Sequence, residues 1–132
     1  MSGEDLKAQV RRLIEEGWNT GNMAVFDELY AANVAYHNPL NPQKGRAGVK
    51  SFCTATRAAY PDWRFIIDDL MAAEGDKVVT RFTEVATDTG GSPPTGKHLT
   101  MTGIAIWKFE GGKVVEEWLE VDFMGMQRQL QG

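Results

Sequence analysis

The sequence has one cysteine, two histidines and no long hydrophobic run among its 132 residues. A single cysteine excludes an intramolecular disulfide, which weakly favours a cytoplasmic location. No stretch is long and apolar enough to span a bilayer, and residues 1–20 lack the apolar segment of a signal peptide. We therefore expect a cytoplasmic protein without a membrane partner.

Basic residues are also too few and too scattered to form a nucleic-acid site. The net charge is −4, and basic residues occur singly or in short pairs, whereas a general nucleic-acid binder carries a basic patch. A zinc site is disfavoured because zinc prefers nitrogen and sulfur ligands and only His37 could contribute one. Cys53 lies in a predicted helix, where a small buried filler is its expected role.

The remaining composition, 42% hydrophobic and 24% charged, is typical of one globular domain spanning residues 1–132. Apolar residues recur with a helical period in the first half and alternate in the second. The pattern predicts helices over 4–20, 23–31 and 47–60, a short extended segment over 34–38, and strands over 63–73, 77–87, 98–109 and 113–123. Residues 38–45 and 88–97 are predicted loops, and residues 124–132 a short tail.

Segregated helices and strands predict an α+β fold. Three N-terminal helices packed on one face of a curved antiparallel sheet would enclose a pocket between the two layers. Concave and mainly apolar pockets of this kind bind small molecules. The expected partner is therefore a small hydrophobic compound.

The last predicted strand, Lys113 to Phe123, carries acids among apolar residues. Alternation divides these residues between the two faces of the strand. The more polar face carries Val114, Glu116, Trp118, Glu120 and Asp122. The opposite face carries Val115, Glu117, Leu119, Val121 and Phe123. Two interpretations of the more polar face stay open. It is a solvated face with one Trp, or it lines a half-polar cavity with Asp122 as its acid.

Seven short motifs follow one another along the chain: GWNTG at 17–21, YHNP at 36–39, YPDW at 60–63, EGDKVVTR at 74–81, PTGK at 94–97, FEGGKVVEEW at 109–118 and DFMGMQRQL at 122–130. In this order they resemble the SnoaL-like polyketide cyclase (predicted ester cyclase) family of the nuclear-transport-factor-2-like superfamily. The resemblance covers nearly the whole chain.

The resemblance implies a cone-shaped (cystatin-like) fold with a deep pocket, and a homodimer formed through the outer face of the sheet. It also implies an intramolecular aldol condensation without a metal or organic cofactor. An aspartate near the end of the last strand is the acid/base in the family, and Asp122 takes that position. Trp18, Asn38 and Phe52 take positions that contact the ligand.

Three positions depart from the family pattern. Lys108 stands where the cyclases carry a histidine beside the aspartate, and it is counted with the substrate-binding candidates. Glu117 replaces the histidine of the usual Glu-His-Trp, and Asp88 stands where many relatives have histidine.

Each polar candidate has a functional and a structural interpretation. Asp122 lies between apolar residues, and desolvation would make it a stronger base; alternatively it caps a turn at Gly125. His37 is either a donor to a substrate oxygen or a carboxylate partner, or else it is bonded to the backbone. Arg81 would be an oxyanion donor or, more simply, one half of a salt bridge with Glu116 or Asp122.

Large apolar side chains could form a flat wall that accepts an aromatic ligand, although about half of such residues would be plain core. The members of this set are Trp18, Phe52, Trp63, Met101, Trp107 and Trp118.

The sequence thus predicts a small cofactor-free enzyme that acts on a hydrophobic carbonyl compound, with Asp122 and His37 as catalytic residues. A lipophilic binding domain without catalysis is the first alternative. An isomerase or hydrolase that uses the same pocket is the second.

Overall fold

A computed structural model describes all of residues 1–132. The chain forms four α-helices and six strands. The helices are α1 (Gly3–Arg12), α2 (Met23–Leu29), α3 (Arg46–Ala59) and α4 (Phe123–Gln131). The strands are β1 (Tyr30–His37), β2 (Gln43–Lys44), β3 (Arg64–Ala73), β4 (Lys77–Thr87), β5 (His98–Glu110) and β6 (Lys113–Val121).

The first helix begins with a capping box, in which the Ser2 side chain accepts from the Asp5 N–H and the Asp5 carboxylate accepts from the Ser2 N–H. These bonds satisfy N–H groups that the first helical turn leaves free. The helix continues as one π-helical segment, Leu13–Trp18, so the predicted helix over 4–20 is confirmed. Such wide turns often occur at functional sites, and this one ends on Trp18.

The six strands form one curved, open sheet in the order β2-β1-β6-β5-β4-β3. Strands β3 to β6 are an antiparallel meander, as the sequence predicts. The β5–β6 connection is the two-residue turn Gly111-Gly112, whose positive φ angles of 57° and 77° match the tight hairpin turn that favours glycine. Strand β1 pairs in parallel with β6, a pairing that local patterns did not predict.

Three predicted segments differ clearly from the structure. The second helix ends at Leu29, and strand β1 begins at Tyr30 and is longer than the predicted segment 34–38. Tyr30 leaves the helix because it pairs with Val114 of the distant strand β6. The C-terminal tail forms the nine-residue helix α4 instead of a single turn.

Strand β6 contains a bulge that changes its faces. Lys108 pairs with Glu116, whereas the next residue, Phe109, pairs with Val114, so Val115 is an extra residue. A bulge of this kind shifts the alternation by one. Val114 is consequently buried on the inner face, and its predicted place beside Glu116 is wrong.

Helices α1 to α3 cover the inner face of the sheet and enclose the hydrophobic core. The core includes large residues from both layers, such as Phe26, Tyr30, Phe82 and Trp107, all fully buried. Cys53 is buried as predicted, and burial raises the pKa of its thiol to about 11. None of the four helices is long and apolar enough to cross a membrane.

Candidate functional site

A cavity of about 300 Å³ lies between the helices and one end of the inner sheet face. Of its 19 lining residues, 14 are hydrophobic. The aromatic members come from the first helix, β1, α3, β3 and α4, and they are Trp18, Tyr36, Phe52, Tyr60, Trp63, Phe65 and Phe123. A mainly apolar cavity of this size suits a small hydrophobic ligand.

A chain of three buried polar groups ends at a carboxyl group of the cavity wall. The Trp18 indole N–H donates to the Tyr30 hydroxyl over 3.1 Å. That hydroxyl donates to Glu117 Oε1 over 2.7 Å. Glu117 is 2% exposed, so its carboxyl group has almost no access to solvent. The hydrogen bonds from Trp18 to Tyr30 and from Tyr30 to Glu117 hold this group in position.

A second carboxyl group, that of Glu84, faces the same cavity. Its Oε1 atom accepts a hydrogen bond from the Trp63 indole N–H over 3.1 Å. Its cross-strand neighbours on the inner face are Phe65 of β3 and Met101 of β5. Glu84 is only half-buried by its accessible surface, and it lines the cavity.

The apolar surroundings raise the pKa values of both carboxyl groups. Burial raises the pKa of Glu117 to about 8, although the hydrogen bond from Tyr30 opposes this. Burial likewise raises the pKa of Glu84 to about 7, against the bond from Trp63. The pKa of the Tyr36 hydroxyl is raised well above its usual value by burial and by nearby Glu117. The cavity therefore holds carboxyl groups that can exchange protons near neutral pH.

Five of the ten residues predicted as site residues line this cavity: Trp18, Asn38, Phe52, Trp63 and Met101. They belong to the aromatic and ligand-contact candidates. The side-chain oxygen of Asn38 accepts from the Leu40 N–H over 3.1 Å, which holds the amide at the cavity wall.

Asp122 does not line the cavity. Its side chain is exposed, and Oδ1 accepts from the Gly125 N–H over 2.8 Å, so the residue is the N-cap of α4. This is the turn-capping role that the sequence offered as the structural alternative. The neighbours Val121 and Phe123 do line the cavity, because successive residues point to opposite sides.

His37 and Trp118 lie on the outer face of the sheet, away from the cavity. His37 Nε2 is 2.7 Å from Glu116 Oε2, which agrees with the predicted carboxylate pairing. The imidazole also stacks on the Trp118 ring, with centroids 5.7 Å apart. The more polar face of β6 is thus the solvated one, and the interpretation of this face as a cavity wall is wrong.

Arg81 and Lys108 also lie outside the cavity. Arg81 Nε is 2.7 Å from Asp69 Oδ2, so the predicted salt bridge exists, with a partner on β3 instead of Glu116 or Asp122. Lys108 alternates with buried Trp107 and Phe109 on β5 and points to the outer face. Neither cation lines the cavity.

Sequence reasoning did not select Glu84 and Glu117 as site residues, although a signal for both was present. Each is the lone acid on an otherwise apolar strand face. Glu117 shares its face with Leu119 and Val121, and Glu84 shares its face with Phe82 and Ala86. An unpaired acid at such a position must be desolvated, which is the condition for a raised pKa.

The family model for SnoaL-like polyketide cyclases matches residues 8–130. The chain belongs to this family. The match begins in α1 and ends in α4, so it includes every residue of the cavity wall. No functionally curated protein matches the chain.

Solved structures of SnoaL-like proteins share the fold. IdmH from Streptomyces antibioticus, a proposed polyketide cyclase, is 27% identical with a TM-score of 0.83 over 96% of this chain and 99% of its own. A proposed polyketide cyclase from Acidithiobacillus ferrooxidans is 32% identical with a TM-score of 0.77 over 99% and 98%. AclR, a proposed hydroxylase from Streptomyces galilaeus, is 23% identical with a TM-score of 0.83 over 98% and 87%, and this likeness supports the fold alone.

Proposed function

We propose that this SnoaL-like protein is a cofactor-free acid/base enzyme that closes a ring in a small hydrophobic carbonyl compound by an aldol-type reaction. Glu117 is the proposed acid/base group. The observation that carries the proposal is a buried carboxyl group with a pKa of about 8, held by Tyr30 in the wall of an apolar cavity.

The reaction needs one group that takes a proton and later returns it. In its ionised form Glu117 removes a proton from the carbon next to a carbonyl group, which leaves an enolate. The enolate carbon attacks a second carbonyl carbon of the same molecule, a C–C bond forms, and the electron pair moves to the carbonyl oxygen. Glu117 returns the proton to that oxygen, so the carboxylate is regenerated.

Two neutral polar groups at the cavity wall would serve the developing oxyanion. The Asn38 side-chain oxygen accepts from the Leu40 N–H, and its amide group is hydrogen-bonded to the Tyr36 hydroxyl, which leaves one amide N–H to donate to a substrate oxygen. Tyr36 also lines the cavity. Donors fixed in a water-poor site stabilise such a charge.

Replacing Glu117 with Gln tests the proposal, because the amide keeps the shape and removes the base. We expect kcat/KM for cyclisation of hydrophobic polyketide esters to fall by about 10²- to 10⁴-fold. In the wild type kcat/KM should rise with pH through about 8, where Glu117 ionises.

The same assay tests the family-based prediction for Asp122. Asp122→Asn keeps an N-cap and removes the carboxylate. A large loss in Asp122→Asn, with Glu117→Gln fully active, would return the acid/base role to Asp122 and refute the assignment to Glu117.

A lipophilic binding domain without catalysis is the second candidate. It is favoured by the exposed, structural positions of the two predicted catalytic residues, Asp122, which takes the acid/base position of the family, and His37. Tight binding of a hydrophobic compound without turnover, unaffected by Glu117→Gln, would support it.

We further propose that the protein is a homodimer formed through the outer face of the sheet. This face exposes Ile104 (51%), Ile106 (36%) and Trp118 (36%), and exposed apolar patches commonly mark interfaces. Light scattering should give twice the chain mass of 14.7 kDa, and Ile104→Glu should shift the protein to monomer. A wild-type monomer at micromolar concentration would refute this proposal.

A further inference from the structure

The charged groups around the cavity are all of one sign. Its wall contains the carboxyl groups of Glu84 and Glu117 and no Lys, Arg or His. An ionised carboxylate in an apolar site is costly unless a cation pairs with it. The protein supplies no such cation at the cavity wall. These acids therefore either hold a proton, as their raised pKa values indicate, or ionise against a cation that a ligand brings.

Glu84 is the more accessible of the two acids. Glu117 is enclosed and bonded to Tyr30. Glu84 has a single hydrogen bond, from Trp63 to Oε1, and part of its surface faces the cavity. Its Oε2 atom has no protein partner and is free to accept from a ligand.

Aromatic side chains adjoin the Glu84 carboxyl group on the Trp63 side. Trp63, which bonds to it, lies in edge-to-face contact with Trp18 and Phe65, with centroids 6.2 and 6.0 Å apart. Phe65 is also directly opposite Glu84 in the sheet. A carboxylate among aromatic rings suits an ammonium ion, which is attracted to both the anion and the ring faces.

We propose that the ligand of this cavity carries a basic nitrogen, bound as an ammonium ion against Glu84 Oε2 and the adjoining aromatic rings. This inference rests on the proposed function in one respect: it assumes that the substrate binds in the same cavity. It narrows the substrate class to hydrophobic carbonyl compounds that also carry a basic nitrogen. It disfavours compounds with a free carboxylate or phosphate, which would face two acids and no cation.

Ammonium binding should also release protons. The other titratable groups that line the cavity with Glu84 are Glu117, Tyr36 and Tyr60. Near neutral pH a fraction of Glu84 is protonated because burial raises its pKa to about 7. A bound cation favours the ionised form, so the proton leaves as the amine binds.

Three probes with one bicyclic skeleton test the proposal: 2-aminotetralin, 2-tetralol and tetralin-2-carboxylate. Isothermal titration calorimetry at pH 7 measures their binding to the wild type, to Glu84→Gln and to Glu117→Gln. The Gln side chain at position 84 keeps the acceptor for the Trp63 N–H, so the fold should be retained. Titration of the amine in phosphate and in Tris reports proton release, a readout that depends on no variant.

We expect the amine to bind the wild type roughly tenfold or more tightly than the alcohol, with weaker binding of the carboxylate than of either. The amine preference should disappear in Glu84→Gln and persist in Glu117→Gln, and the wild type should release protons on binding the amine. Equal binding of amine and alcohol, undetectable amine binding, a preference that survives Glu84→Gln, or the absence of proton release would overturn the proposal.

The result of this binding test is independent of whether the protein catalyses the proposed cyclisation. Binding of these unreactive probes does not depend on turnover, so the amine preference can fail while Glu117→Gln still abolishes cyclisation. Conversely, the preference can hold in a protein whose Glu117→Gln variant remains active.

Discussion

Glu116 and Glu117 are adjacent in the chain, yet they lie on opposite faces of β6. The Glu116 carboxylate pairs with His37 at the surface. The Glu117 carboxyl group is buried and accepts from the Tyr30 hydroxyl. The chemistry at neutral pH depends on this difference, because burial raises the pKa of Glu117 to about 8.

Tyr30 should control the proton affinity of Glu117. Its hydrogen bond stabilises the ionised carboxylate and so lowers the pKa that burial raises. Tyr30→Phe is therefore expected to raise the Glu117 pKa above about 8 and to move the rise of kcat/KM to higher pH. The matched control is Tyr60→Phe, because Tyr60 lines the cavity without a hydrogen bond to either carboxyl group. An unchanged profile in Tyr30→Phe would show that the bond does not tune Glu117.

At the residue scale, the aromatic wall could be predicted from the sequence better than the acids. Trp18, Phe52 and Trp63 line the cavity because large apolar side chains on inward faces have few other places to go. The acid/base group is predicted at Asp122, on the more polar face of β6, because the family resemblance places it there. Glu117 is an acid on the apolar face of the same strand, where a buried acid is rare.

At the scale of elements, α4 closes one side of the cavity and is fixed at both ends. Its N-cap is Asp122, and Phe123 and Met126 line the cavity. Near its C-terminus the Gln129 amide exchanges two hydrogen bonds of 2.7 Å with the Thr100 backbone. The Lys97 ammonium donates to the Leu130 carbonyl over 2.9 Å.

The N-cap role of Asp122 predicts a difference between two substitutions. Asp122→Ala removes the acceptor for the Gly125 N–H and should lower the free energy of unfolding by about 1 kcal/mol. Asp122→Asn keeps a capping oxygen and should be close to the wild type. Urea unfolding followed by circular dichroism measures both. Equal losses in the two variants would mean that the carboxylate charge, and not the cap, is what matters.

The helical and alternating periods predict most elements because they depend on local spacing. Strand β4 over 77–87 agrees with the structure at both ends, and α3 differs from its prediction by one residue at each end. The start of β1 at Tyr30 depends on pairing with the distant strand β6, and the bulge at Val115 depends on the register of the β5–β6 hairpin. No local pattern encodes such pairings, so these features could not be predicted.

At the scale of the whole molecule, the two buried carboxyl groups should make stability depend on pH. Their pKa values are raised in the folded state, so between about 4.5 and 8 the folded protein binds more protons than the unfolded chain. The free energy of unfolding should consequently fall as pH rises through this range. The loss increases with the size of each pKa shift, since one pKa unit corresponds to about 1.4 kcal/mol.

Glu117→Gln should flatten this dependence as pH rises from 7 to 8, because Glu84, with a pKa of about 7, completes most of its ionisation in that interval and only Glu117 would continue to titrate. Glu120→Gln is the matched control, because Glu120 is exposed on the same strand. Urea unfolding at a series of pH values measures all three proteins. The account is contradicted if the wild type and Glu117→Gln lose stability in parallel up to pH 8.

The central claim is that Glu117 is a buried carboxyl group that titrates near neutral pH. The most direct test is a carboxyl-carbon NMR titration of the wild type, with Glu117→Gln used to assign the signal. The account predicts a pKa of about 8 for Glu117. A pKa at or below 4.5, its ordinary value, would mean a solvated or paired carboxylate and would contradict the proposed acid/base role.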